Sequence, residues 1–436
     1  MQTSVFTKGK PRTKRWGLLL LLLTFPTLLH AQFKCTTNNG QITITGYTGS
    51  GGNVIIPSST NGYPVTSIGA SAFLNKSSLT SVTIPNSITN IGTSAFSGCL
   101  GITNATIGNS VTIIGDDAFY NCQYLTGVNF PNSVTVIGQY AFYLCALTNA
   151  VFPNSVTNIG TYAFAGCYLT TLTLPNNLAS IQDDAFYDCT LLKNVIIPNS
   201  VTNIGTAVFE YCAAITNVTI GASVANIGNS AFLNCTSLTS VTIPPSVTTF
   251  QPGAFYGCSS LTNIFCQGNA PSFDSTSFSG VSSKAKVYFL SGTTGWNSTY
   301  DSLPAAALQV PNYTYTDKNG SIIITGYTGT GGVVTIPGTL AGLAVTSIGS
   351  NAFGNCTNLT SATIPASVVS IGNNAFWLCT NLTSVNFQGN APSLGSSVFS
   401  TNNHTKAYYL PSTTGWESTY GGIPAVCRNG LLIHLR

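Results

Sequence analysis

Thirteen cysteines in a chain of 436 residues are the first groups whose chemistry has to be weighed. Ten of them, Cys99, Cys122, Cys145, Cys167, Cys189, Cys212, Cys235, Cys258, Cys356 and Cys379, each follow a phenylalanine by three residues. Oxidised, neighbours in such a series would form disulfides if their Cα atoms came within about 4.4–6.8 Å. Reduced, they would make a ladder of small buried thiols filling a layer too tight for leucine, and this is the reading the pattern favours. Lys76 fills the first such position, as a more exposed end unit allows. Cys35, Cys266 and Cys427 stand outside the ladder, with Cys266 at an inward strand position. Zinc needs histidines or paired cysteines at short spacing, whereas these lie a full repeat apart, so no metal site and no cofactor is expected.

Other reactive groups are sparse. After residue 31 the only histidines are His404 and His434, which leaves a serine or cysteine nucleophile almost no base. Asp116-Asp117 and Asp183-Asp184 recur two residues before a phenylalanine, where an aspartate accepts N–H bonds at the start of a turn. A glycosidase would need two carboxylates about 5–9.5 Å apart across a cleft, and these pairs belong to separate coils. Capping is the expected role, Glu210 carries no pattern, and no catalytic residue and no enzyme activity is expected.

What positions all these groups is a repeat. Phe73, Phe96, Phe119, Phe142, Phe164, Phe186, Phe209, Phe232, Phe255 and Phe278 are 22 or 23 residues apart, and Phe353, Phe376 and Phe399 resume the step. In the unit Leu79–Cys99, Val82 and Ile84 alternate with Thr83, the mark of a half-buried strand. Pro85 stops the ladder for want of an N–H. Ile88 and Ile91 form a second inward segment, Gly92 bends the chain, and Ser94-Ala95-Phe96 reads as a short helical or 3₁₀ turn that drops Phe96 into the interior. One unit cannot cover its own apolar face, but a stack of them can, with strands paired in parallel.

The pattern L-x-x-V-x-I-P-x-S-V-x-x-I-G-x-x-A-F-x-x-C resembles the BspA-type leucine-rich repeats of bacterial surface proteins, over most of residues 65–280 and 345–400. The resemblance implies a β-rich solenoid. It also implies adhesion or host- and matrix-protein binding in some members, with no catalytic residues to carry over.

A larger repeat divides the chain. Gly40–Gly52 returns as Gly320–Gly332, and each copy reads as a hairpin across a glycine-rich turn that covers the open end of a sheet. Gln267–Pro271 with Thr293–Tyr300 returns as Gln388–Pro392 with Thr413–Tyr420, an aromatic lid in each case. Two capped solenoid modules are therefore expected. A signal peptide (1–31) and a hairpin cap (32–64) precede a solenoid (65–280), which ends in an aromatic cap and linker (281–311). A second hairpin cap (312–344), a short solenoid (345–400) and an aromatic cap with tail (401–436) complete the chain.

Export is read from Lys8, Lys10, Arg12, Lys14 and Arg15 ahead of the apolar run Trp16–Leu29 and His30-Ala31. That run is shorter than the roughly 17–25 residues of a membrane span, so no stable span is expected once it is removed. The five cations are among 14 Lys and Arg, while none of the 10 Asp and Glu lies there; nine then face ten, a net charge near −1 in place of +4. No basic patch remains for nucleic acid. The chain is 44% apolar but only 6% charged, against roughly 25% charged in ordinary domains, so it buries a core rather than staying disordered.

What is left for function is the solvent side of the strands: Ser81, Thr83, Asn104, Thr106, Thr171, Thr173, Asn217, Thr219, Ser240 and Thr242, with Ser361 and Thr363 in the second module. This hydroxyl and amide stripe points to a secreted or cell-surface, non-catalytic adhesion protein whose partner is an extracellular protein or glycan. The alternative is a glycan-binding accessory protein in extracellular polysaccharide use, for which exposed aromatics on the sheet would speak; Phe265 is the one found there.

Overall fold

The computed structural model describes residues 32–290, 293–308, 312–318, 321–340, 343–402 and 404–428. The segment 1–31 expected to be a signal peptide, the junction Gln309–Pro311 and most of the tail lie outside the described residues. The coils fall into two compact units, one reaching Thr148 and including Asn158–Cys167, the other comprising Asn149–Thr157 and Tyr168 onward. Each is a parallel β-solenoid.

The first unit shows how one coil is held by the next. Strand Leu79–Thr83 pairs in parallel with Asn104–Thr106, placing Ser81, Val82 and Thr83 against Asn104, Ala105 and Thr106. Asn90–Ile91 pairs with Ile113–Ile114 on a second flank. A third set of rungs joins the turns: Ser94 N–H donates to Asp116 O (2.8 Å), Phe96 N–H to Ala118 O (2.7 Å) and Gly98 N–H to Tyr120 O (2.8 Å).

This third flank departs from the expectation of a helical turn, because no helix occurs among the described residues. The residues two before and two after the repeat phenylalanines adopt left-handed backbone in every coil but that of Phe278, where only Gly280 does, as at Ser94 (φ 55°) and Gly98 (φ 70°), Asp117 (φ 53°) and Asn121 (φ 56°), or Tyr140 (φ 53°) and Leu144 (φ 55°). Alternating handedness turns the N–H groups along the stack, toward the next coil, where a helix would turn them back on its own. For residues with a Cβ the left-handed state costs about 1–2 kcal/mol each.

Close approach on the second flank rests on glycine. A Cβ on Gly138 would lie 2.5 Å from Asp116 N and 2.6 Å from the carbonyl carbon of Gly115. With no Cβ, the backbones meet.

The core is a column of phenylalanines. In the first unit the ring centroids of Phe73, Phe96, Phe119, Phe142 and Phe164 follow one another at 4.7, 5.0, 5.2 and 5.2 Å with nearly parallel planes. In the second, Phe186 to Phe278 continue at 5.1–5.6 Å, as do Phe353, Phe376 and Phe399 at 4.9 and 5.6 Å. Ile, Leu and Val of the strands surround them, also buried.

The ends are closed differently from the reading above. The antiparallel hairpin is β1 (Phe33–Asn38) with β2 (Gln41–Tyr47), turning at Asn39-Gly40. The glycine-rich turn after β2 does not fold the chain back. It carries it from one sheet to the other, since β3 (Gly52–Ile55) pairs in parallel with Leu79–Thr83. Tyr47 then covers the phenylalanine column, its ring 5.1 Å from Phe73. The equivalent hairpin, Tyr313–Lys318 with Ser321–Tyr327, places Tyr327 5.1 Å from Phe353. At the exits, Trp296 stacks on Phe289 (4.9 Å) and Trp416 on Tyr409 (4.8 Å). Tyr300 and Tyr420 donate to the carbonyls of Pro271 and Pro392. Leu290 belongs to the same core as Ile322, Ile324 and Val345.

Candidate functional site

The cysteine ladder is structural. All thirteen are thiols. The ladder thiols Cys99, Cys122, Cys145, Cys167, Cys212, Cys235, Cys258 and Cys379 donate Sγ–H to the phenylalanine carbonyl of the preceding coil, as Cys99 to Phe73 (3.1 Å), Cys235 to Phe209 (3.3 Å) and Cys379 to Phe353 (3.0 Å) show. That carbonyl also accepts the N–H of the residue three ahead in its own coil, so both lone pairs are used. In the last coil Asn402 takes the cysteine position and its Nδ2 donates to Phe376 O at 2.7 Å. The position therefore selects a small donor, a requirement beyond the tight fit inferred from sequence. Burial pushes the Cys99 and Cys379 thiols up to about 12, and Cys145, Cys212 and Cys235 are raised by burial and by neighbouring thiols.

Reactivity should follow exposure. Cys35 and Cys427 are exposed, Cys356 is half-buried and the other ten are buried. Titrating the native protein with an aromatic disulfide reagent should give two fast thiols and one slow one, with ten more released only by denaturant. Fewer than thirteen in denaturant without reductant would mean that disulfides exist.

The aspartate pairs brace neighbouring coils. Asp116 Oδ1 accepts the N–H of Gln139 at 2.8 Å, and Asp183 Oδ1 that of Thr206 at 2.7 Å. Asp117 is raised by burial and by Asp116 beside it, and Glu210 by burial and by Asp184. Among the described residues no group of three or more His, Cys, Asp or Glu is placed to hold a metal, and no helix is long and apolar enough to cross a membrane.

The residues of the outer strand face lie on two rows. In the first unit Ser81 stands beside Asn104 and Thr83 beside Thr106, with Val82 and Ala105 buried between the rows. Ser81 Oγ donates to Asn53 Oδ1 at 2.8 Å. In the second unit Thr171 and Thr173 lie beside Asn149 and Val151, Asn217 and Thr219 beside Asn194 and Ile196, and Ser240 and Thr242 beside Asn263 and Phe265. In the second module Ser361 and Thr363 stand beside Ser384 and Asn386. Alternation along each strand turns these side chains away from the core.

The stripe is less uniformly polar than the sequence reading had it. Ile55, Val151 and Ile196 occupy the same rows, and Ile196 is 66% exposed. An aromatic pair was also missed: Tyr288 lies next to Phe265 in register, their rings 5.4 Å apart, with Lys286 exposed two residues earlier. Its signal was present in the strand Lys286–Phe289, where Tyr288 alternates with buried Val287. Asn217, Thr219 and Thr242 line a cleft of about 350 Å³ together with Pro244, Gln267 and Leu343.

Near-identical coils, closed by one another and carrying their variation on the outside, define a leucine-rich-repeat scaffold. The model of the BspA-type leucine-rich repeat region matches residues 50–170, 157–285 and 335–418 in six copies, and the chain belongs to that family. Among solved structures, a leucine-rich repeat protein from Bacteroides ovatus is 24% identical, covers 91% of this chain and 98% of its own, and superposes with a TM-score of 0.56, which shows the same fold. A leucine-rich cell surface protein from Faecalibacterium prausnitzii is 27% identical over 82% of this chain and 93% of its own, with a TM-score of 0.43. The leucine-rich repeat protein of T. pallidum is 30% identical over 48% of this chain and 88% of its own, with a TM-score of 0.38. No curated protein matches the chain.

Proposed function

We propose that the protein is a non-catalytic binding protein that acts outside the cell and holds an extracellular protein against the outer face of its strands. The observation that carries this reading is the cleft at Asn217, Thr219 and Thr242, where predicted outward residues converge with Leu343. Hydroxyls and amides supply directional hydrogen bonds there, while Ile196 beside Thr219 supplies apolar contact. The basic, apolar start of the sequence supports export.

Replacing Thr219 and Thr242 by arginine tests it, since both side chains lie on the outer face of their strands. Against an immobilised panel of purified matrix proteins and mucin, at least one member should bind the parent chain, and the double variant should lose about tenfold or more in affinity, equivalent to about 1.4 kcal/mol. Equal binding by both, or no binding to any member, would remove the reading. The Phe265–Tyr288 pair favours a second one, glycan binding in extracellular polysaccharide use.

A further inference from the structure

The turn flank of the first unit carries a second surface, separate from the strand face. Tyr120 and Tyr143 stack at 5.2 Å with planes 13° apart, and Tyr140 and Tyr162 at 4.9 Å with planes 3° apart. The two stacks meet edge to face, with Tyr140 and Tyr143 5.5 Å apart at 79°. Beside them opens a cleft of about 630 Å³ lined by Thr93, Asp116, Asp117, Tyr120, Gln139, Tyr140 and Tyr143.

The left-handed backbone two residues before the phenylalanine belongs to the repeat, but only in the coils of Phe142 and Phe164 does a tyrosine stand on it. Tyr140 and Tyr162 hold bulky side chains in left-handed backbone, at φ 53° and 55°, where the coil of Phe255 places Gly253. Among the described residues, the hydroxyls of Tyr120, Tyr140 and Tyr143 meet no hydrogen-bonding protein group. Asp116 gives one oxygen to Gln139 N–H, and Asp116, Asp117 and Gln139 all line the cleft.

We infer that this tyrosine platform is a binding site for a neutral oligosaccharide. Flat rings beside carboxylates and an amide match the two sides of a sugar, an apolar C–H face and a rim of hydroxyls that donate and accept. An anionic glycan is disfavoured, because the lining holds two aspartates and no Lys or Arg. A cation needs ring faces converging on one point, whereas here each ring spends one face on its stacking partner.

The test is calorimetric titration of the full chain with cello-, xylo-, malto-, manno- and chito-oligosaccharides, with tetramethylammonium as the cationic probe. At least one saccharide should bind with a Kd of about 1 mM or tighter. Tyr120→Ser and Tyr143→Ser restore the residue type that Ser97 supplies in a neighbouring coil, so the fold is retained. Each should weaken binding about tenfold with the melting temperature unchanged, while Tyr143→Phe keeps binding within about threefold. Thr219→Arg/Thr242→Arg should leave it unaltered, which separates this site from the strand face. Absence of saccharide binding, binding indifferent to Tyr120→Ser and Tyr143→Ser, or tyrosine-dependent binding of tetramethylammonium alone would overturn the inference.

Discussion

Raising the pH from 8 toward 11 under reducing conditions should unfold the protein cooperatively. A thiol whose folded pKa is raised above its unfolded value stabilises the fold below the unfolded value, near 9, and that contribution is lost as pH climbs toward the folded one. Cys99, Cys145, Cys212, Cys235, Cys266 and Cys379 are all raised in this way, with burial as the largest cause. Each costs about 1.4 kcal/mol per pH unit in the window where only the unfolded chain ionises, so six together remove roughly 8 kcal/mol per unit. Tyr300 and Tyr420, also raised by burial, push the same way at higher pH. A whole fold has only about 5–15 kcal/mol to lose. Urea midpoints measured from pH 7 upward should be flat to about pH 8.5 and then fall steeply, and a Cys145→Ala/Cys212→Ala/Cys235→Ala variant should show a shallower fall. A midpoint constant to pH 11 would contradict the buried-thiol ladder.

The second large effect is expected at the phenylalanine column. Phe142 is fully buried, stacked between Phe119 and Phe164 at 5.2 Å on either side, and touched edge-on by Phe130 at 5.6 Å. Phe142→Ala removes contacts above, below and beside the ring, and the backbone rungs on three flanks keep the coils from collapsing into the gap. The cost should sit at about 3–5 kcal/mol, the range for large aromatic truncations in rigid cores. Equilibrium unfolding in guanidinium chloride gives the value; a loss under about 1.5 kcal/mol would show that the coils are free to close up.

How much of this was legible beforehand depended on whether a feature repeats. The phenylalanine column, the inward alternation of Val82 and Ile84 and the outward placing of Ser81, Thr83 and Thr219 recur in many coils, so period alone exposes them. The hydrogen bond from the cysteine to the phenylalanine carbonyl was not legible, because a tight fit and a donor requirement both select a small residue; Asn402 separates the two only once its geometry is known. The turn after Gly92 was misread as helical because Ala-Phe-x-x-Cys imitates an i, i+3 helical spacing. Only the left-handed φ at Ser94 and Gly98 tells the two apart. The entry hairpin was assigned one element late, since Gly49–Gly52 is a stronger turn signal than Asn39-Gly40. The tyrosine platform escaped because its members come from two positions of the repeat, one after the phenylalanine in Tyr120 and Tyr143, two before it in Tyr140 and Tyr162, and attention to strands passes over both.

The rungs also make the unit of inheritance visible. Since the partners of Ser94, Phe96 and Gly98 are the carbonyls of Asp116, Ala118 and Tyr120, about one coil further on, a coil depends on its immediate neighbours and on nothing more remote. Duplication or loss of one whole period in the gene would hand the flanking coils the same partners they had before. The reach of the outer surface can thus be lengthened or shortened by evolution in whole steps, with new side chains tried on the outside while the inside stays as it was.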